Sequence, residues 1–280
     1  MALRRSNIGY TDPEDPRPVY GWNPGGFGCS GGCDGCWAKR MSGRMTGKCS
    51  RCAAFEVHLH PERLGDPAKT KKPGVVLVNF TCDTFDKARP AEDVASILKA
   101  AAAAPQHRFV FLTKNAKRKG DLVSADGHAP LSHCYWGLSV RNQSDVDAKL
   151  KRFLVWLGRL WVSYEPAWGP IAWENVWWIR KLAGVIVGHD NRRGASGTET
   201  LEYIRDCVRQ CRAADVRVYV KQLWMERCSE CNRTWPIGTR AEHETCPDCG
   251  IGRLRPKLCH DPAEFPEDLR DRDLPWKETE

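Results

Sequence analysis

The sequence has no apolar run approaching 20 residues, and its mean hydropathy is −0.53, so nothing in it reads as a membrane-spanning helix. Arg4 and Arg5 have no apolar stretch behind them, which predicts no secretory leader and a cytoplasmic location. With 280 residues the chain is too short for several large domains. One α/β domain of barrel size with a small appendage fits that length, and 41% hydrophobic content is enough for a packed core. Acidic residues are the scarcer charge. Lys and Arg exceed Asp and Glu by eight, giving a pI near 8.8. That excess favours a polyanionic partner such as nucleic acid, with a merely solubilising basic surface as the alternative.

Cysteine, by contrast, is abundant at 14 residues. In a reducing compartment, pairs at C-x2-C spacing read as metal ligands more readily than as disulfides. Nine of the fourteen fall into three clusters: Cys29/Cys33/Cys36, Cys49/Cys52 and Cys228/Cys231/Cys246/Cys249.

Short apolar, β-branched runs recur at 74–80, 108–113, 134–140, 160–164, 184–188 and 216–221, and a shorter strand is expected to end near Trp22. Their continuous apolar character suits parallel strands buried on both faces. Helical patterns lie between them at 90–104, 143–157 and 198–214, the last carrying Leu201, Ile204, Cys207, Val208 and Cys211 on one face. The alternation predicts an α/β fold, and six or seven strands are too few for an eightfold barrel. The first domain is expected over 1–225, a four-cysteine module over 226–260 and a charged, extended tail over 261–280.

Cys29, Cys33 and Cys36 form a C-x3-C-x2-C loop rich in glycine. Three thiolates on one loop can ligate three irons of a 4Fe–4S cluster and leave the fourth iron open to another ligand. A zinc site completed by a distant residue, or free thiols, are the alternatives. Cys228-x2-Cys231-x14-Cys246-x2-Cys249 has zinc-ribbon spacing, and a segment with so little apolar material needs metal to fold. A second iron–sulfur cluster would also suit four thiolates. Arg227, Arg233, Arg240, Arg253, Arg255 and Lys257 surround the module and are candidates for phosphate contact. Cys49 and Cys52 form a further possible metal pair, with His58 and His60 following on an alternating, strand-like stretch.

The C-x3-C-x2-C loop resembles the signature of the radical S-adenosylmethionine (SAM) superfamily. Residues 8–224 also resemble a narrower phage-associated, three-cysteine family of unknown function. That likeness is carried by Trp22-Asn23-Pro24, the stretches at 32–41 (GCDGCWAKRM) and 60–64 (HPERL), Val78-Asn79 with Asp83 to Phe85, Leu112 to Lys114, Gly137 to Val140 with Asn142-Gln143, Ser163 to Pro166 with Gly169-Pro170, and Lys221-Gln222. Two departures stand out. Gly35, not an aromatic residue, precedes the last cysteine. Gly188-His189-Asp190-Asn191 stands where the family commonly reads Gly-Gly-Glu-Ser.

The resemblance implies a partial (β/α)6 barrel, a SAM-chelating 4Fe–4S cluster and an electron donor such as flavodoxin. It also implies reductive cleavage of SAM to methionine and a 5′-deoxyadenosyl radical. Ligands of parallel α/β folds sit at the carboxyl ends of strands. Asn79, Asp83, Thr113, Lys114, Ser139, Asn142, Gln143 and Ser163 are therefore the candidates for SAM, and Glu165, His189, Asp190 and Lys221 for substrate. The expected substrate is an amino-acid-decorated thymine, such as a glycyl-thymine, in phage DNA, with the protein at work in the host cytoplasm. A base would have to be flipped out to react, and Trp37, Trp136, Trp161, Trp168, Trp173, Trp177 and Trp178 are candidates to stack on it. Two further readings stay open: a radical SAM enzyme on a peptide or small molecule, and a non-catalytic zinc-binding nucleic-acid module.

Overall fold

The computed structural model describes residues 2–6, 8–10, 15–118, 131–156, 158–173, 179–192, 194, 197–243 and 245–277. The chain forms two compact units. One comprises Met1–Ser139 and Lys149–Leu160, the other Val140–Ala148 and Trp161–Glu280. Neighbouring strands follow chain order in both.

In the first unit β1 (Arg4–Arg5) runs antiparallel to β2 (Val19–Trp22). From there β2, β3 (Val75–Val78), β4 (Arg108–Thr113) and β5 (Cys134–Val140) pair in parallel. Every residue of β3 and β5 is buried, as continuous apolar runs require of strands covered on both faces. Three short helices lie between β2 and β3: α1 (Trp37–Ser42), α2 (Ser50–Ala53) and α3 (Asp66–Lys69). The crossover helix α4 (Ala91–Ala102) starts after Pro90, with Glu92 and Asp93 placed to oppose the helix dipole. It buries Val94, Ile97, Leu98 and Ala101, and each of the three larger side chains contributes about 1.5–3 kcal/mol.

Helix α5 (Gln143–Phe153) begins as its pattern predicts but stops before Trp156; Leu157 lies outside the described residues. In the second unit come β6 (Arg159–Tyr164), β7 (Leu182–Val187) and β8 (Val218–Val220), the last two paired in parallel. Helix α6 (Thr198–Ala213) buries the face read from its sequence: Leu201, Ile204, Cys207, Val208 and Cys211. The Thr200 hydroxyl caps its start by accepting from the Gly197 amide at 2.9 Å. The chain is thus a mixed α/β protein with a parallel sheet.

The four-cysteine module is a three-stranded antiparallel sheet in the order β10-β9-β11, built from β9 (Leu223–Cys228), β10 (Thr234–Pro236) and β11 (Leu254–Cys259). It starts at Leu223, a few residues ahead of its composition change.

The charged tail packs against the fold. The amide of Asp273 donates to Val218 O, the amide of Val220 donates to Asp271 O, and Arg272 lies 4.1 Å from the Tyr219 ring centre. Phe265, Leu269, Leu274 and Trp276 are buried, and Trp276 meets Trp161 edge to face. Four apolar anchors outweigh the charge, and the tail covers the outer edge of β8.

The tryptophans also sort themselves. Trp136 stacks on Phe111 in the core, and Trp161 and Trp173 are fully buried, so none of these three is available to a flipped base. Packing claims them because a buried indole removes more apolar surface from water than any other side chain. Trp37 is exposed and Trp168 is half-buried, while Trp177 and Trp178 lie outside the described residues.

Candidate functional site

The loop carrying Cys29, Cys33 and Cys36 leaves the carboxyl end of β2, and Cys36 is the residue from which α1 starts. All three thiols are half-buried. Asp86, beyond the carboxyl end of β3, anchors the loop. It accepts from the Ser30 amide at 2.7 Å, the Ser30 hydroxyl at 2.6 Å and the Cys29 thiol at 3.1 Å. Burial opposes ionisation of Asp86, but these donors and the Ala88 amide hold its carboxyl below the ordinary value. Burial and the neighbouring Asp86 push the Cys29 thiol well up. A metal cation at the thiolates would oppose the second effect, because it favours the Cys29 thiolate. Sequence reasoning missed Asp86; its offset of three from Asp83, after a strand end, was the available signal.

Asn79 has a left-handed backbone (φ 54°) and is 1% exposed. Its side-chain oxygen accepts from the Gly25 amide at 2.9 Å, and its NH2 donates to Thr84 at 3.0 Å. The side chain therefore holds the approach to the cysteine loop. Asp83 accepts from Thr113 Oγ1, the Lys114 amide and the Phe85 amide, each at 2.9 Å. Burial nevertheless raises its carboxyl above the ordinary value. Lys114 Nζ donates to Ser139 Oγ at 2.9 Å. The ends of β3, β4 and β5 are thus joined by one polar chain, Asp83–Thr113/Lys114–Ser139.

The remaining candidates belong to the second unit. Asn142 accepts from the Asp145 amide and so caps α5, while Gln143 bridges Asp147 and the Ala172 amide. Ser163 donates to Glu165 at 3.3 Å, and Glu165 forms a 2.8 Å ion pair with Lys221. His189 Nδ1 accepts from the Trp224 amide at 2.9 Å. Burial lowers its pKa to about 4, so the ring is neutral with its proton on Nε2. Asp190 is taken by Arg192 and by Trp168 Nε1, and is held below the ordinary value despite its burial. Two guanidinium groups lie over the Trp168 ring, Arg141 at 5.0 Å and Arg192 at 5.5 Å from its centre.

Two other clusters have the form of single-ion sites. The Sγ atoms of Cys228, Cys231, Cys246 and Cys249 all lie within 4.8 Å of one another, with two of the pairs at 3.7 Å. Four thiolates around one tetrahedral zinc with bonds of about 2.3 Å would be about 3.8 Å apart. Amides of Cys249 and Asp248 help pull the Cys246 thiol down to about 6, favouring the thiolate a metal needs. Of the surrounding basic residues, Arg233 pairs with Asp248, Arg240 with Glu226, and Lys257 with Glu264. The second cluster comprises Cys49, Cys52, His58 and His60, again with ligand atoms within 4.8 Å of one another. Residues 56–60 form no strand, yet both rings turn to one side, with His58 Nε2 and His60 Nε2 2.9 Å apart. The three thiols of the 29–36 loop do not form such a tight group among the described residues.

A parallel α/β chain with two cysteine-based sets able to hold a metal ion such as zinc is the class these features define. Residues 5–245 match the model of a family described as a protein of unknown function, DUF5131, and the chain belongs to that family. No curated protein and no solved structure matches it.

Proposed function

We propose that this protein is a radical SAM enzyme on a partial (β/α)6 barrel, acting on a modified thymine in DNA. The observation that carries the reading is the C-x3-C-x2-C loop at the carboxyl end of β2, with Asp86 fixing its first cysteine. Three cysteines on one loop suit a cluster, where each takes a different iron. Cys29, Cys33 and Cys36 would hold that cluster, and SAM would complete it. When bound, the pair supplies a 5′-deoxyadenosyl radical by one-electron cleavage of SAM.

The chain's own residues have separable tasks. Asp86 and Asn79 position the loop. Asp83, Thr113, Lys114 and Ser139 offer a linked set of donors and acceptors for the polar groups of SAM. Glu165 and Lys221 form a mutually neutralised pair that could move a proton at a substrate. His189 is a neutral donor through Nε2. The basic excess favours a nucleic acid over a peptide or small molecule.

Anaerobic reconstitution with iron and sulfide, followed by dithionite and SAM, should give 5′-deoxyadenosine, and Cys33→Ala should give none. Protein that binds only zinc and leaves SAM intact would support the non-catalytic nucleic-acid module instead. Nucleoside mass spectrometry after incubation with phage DNA then tests the substrate. An unchanged base profile would reject DNA modification.

A further inference from the structure

The Cys49/Cys52/His58/His60 cluster is built more completely than a chance meeting of side chains. Cys52 Sγ lies 3.3 Å from both His58 Nε2 and His60 Nε2, and Cys49 Sγ lies 3.8 Å from His58 Nε2. Tetrahedral zinc with two sulfurs and two nitrogens sets its ligand atoms about 3.3–3.8 Å apart, so the His58 and His60 Nε2 atoms, 2.9 Å apart, have only a few tenths of an ångström to open to admit the ion. Each imidazole is oriented through its other nitrogen. His58 Nδ1 donates to Glu56 O at 2.7 Å, and His60 Nδ1 meets Glu62 Oε1 at 2.9 Å. A carbonyl or carboxylate behind the ring is the usual support of a metal-bound histidine, because it leaves the Nε2 lone pair facing the ion.

The position of the cluster gives it a task. The backbone entering the three-cysteine loop rests on it. The Phe27 amide points at Cys52 Sγ at 3.4 Å, and the His60 amide donates to Pro24 O at 2.7 Å. Gly26, with φ 59°, comes so close that an added Cβ would lie 2.7 Å from Cys52 Sγ and 2.8 Å from His60 Nε2. The backbone leaving the loop returns to the same cluster. After α1 and a single 3-10 turn, the Cys49 amide donates to Met45 O at 3.1 Å, and Cys49 starts α2.

We propose that Cys49, Cys52, His58 and His60 bind one zinc ion that clamps both ends of the 29–36 loop, and that the loop takes up its own cofactor only when this clamp is loaded. The clamp itself depends only on these four ligands. Its consequence for cofactor uptake rests on the reading of Cys29, Cys33 and Cys36 as cluster ligands.

The experiment compares the full-length protein with Cys52→Ser, and with a double variant His58→Ala/His60→Ala. Zinc content, hydrogen exchange over 24–36 and iron uptake on anaerobic reconstitution are measured on each. Two zinc ions per chain are expected in the wild type and one in the variants, with the remaining ion on the four-cysteine set. Exchange over 24–36 should rise at least tenfold in the variants, and iron uptake should fall several-fold. Unchanged zinc content, or lost zinc with unchanged exchange, would overturn the clamp. If the wild type takes up no iron but its exchange still depends on zinc, the cluster reading fails and the clamp stands. Should the variants not fold, zinc-edge X-ray absorption of the wild type decides the ligands. One four-sulfur and one two-sulfur, two-nitrogen site average to three sulfurs and one nitrogen per zinc. An all-sulfur average would contradict the site. Exchange over 24–36 before and after chelation of the wild type then decides the clamp, which an unchanged rate would reject.

Discussion

The four-cysteine module and the three-cysteine loop spend their thiols differently. In the module four Sγ atoms come within 4.8 Å of one another from two knuckles, and Cys228 and Cys246 are buried beside Leu254, with Trp235 packed against them. In the loop three thiols are spread along a single turn, and a carboxylate, Asp86, holds the first of them. The module has the geometry of a site completed by one ion, whose binding would be its folding energy. The loop is positioned by the protein around it. Cysteine number and spacing alone do not show this difference. It comes from what lies behind each thiol.

Stripping metal from the module should have the largest effect. Cys228→Ser, or chelation, should unfold β9–β11, because structural zinc supplies about 10–16 kcal/mol in small sites. Hydrogen exchange over 223–259 reads this, and protection that survives metal loss would make the module self-supporting. The loop should instead be sensitive to its protein supports. A Cβ at Gly28 would sit 1.8 Å from Glu56 O. Gly28→Ala should therefore cost about 3 kcal/mol or more in urea unfolding, and a change within 0.5 kcal/mol would show that this approach is loose.

A third effect separates the second unit's buried polar groups from both cysteine sites. The native state holds His189 neutral to about pH 4, while the unfolded chain protonates it near its ordinary value of 6.5. Its contribution is complete above that value and is lost as pH falls from about 6.5 to 4, a cost of up to about 3 kcal/mol. His189→Gln should flatten the urea midpoint across this window. A slope unaltered by the substitution would assign the acid sensitivity to other groups. The smallest effect is at the loop's anchor. Asp86→Asn should cost about 1–2 kcal/mol through weakened bonds to Ser30. It should also lower the pKa of Cys29, seen as faster alkylation of that thiol near neutral pH. Unchanged alkylation would leave burial alone as the cause.

Strands and crossover helices were legible because apolar runs and amphipathic faces are local signals. β4 and β5 begin and end where their apolar runs do, and α6 buries the face its spacing defines. The packing of the tail was not legible for the same reason. Its charges are local, whereas the contacts of Trp276 with Trp161 and of Arg272 with Tyr219 span long sequence distances. At the sites, ligand spacing exposed the thiols but not their supports. Glu56, through its backbone carbonyl, and Glu62 act through contacts that ligand spacing does not encode, and the one signal for Asp86 was its offset from Asp83. Residues read as cofactor contacts also have structural work: Asn79 holds Gly25, and Asn142 caps α5.

The most direct test of the account is metal analysis with Mössbauer spectroscopy on anaerobically reconstituted protein, wild type and Cys33→Ala. The account predicts two zinc ions and one four-iron cluster per chain in the wild type, and the same zinc without the cluster in the variant. Zinc bound by Cys29, Cys33 and Cys36, or a cluster that survives the substitution, would contradict it.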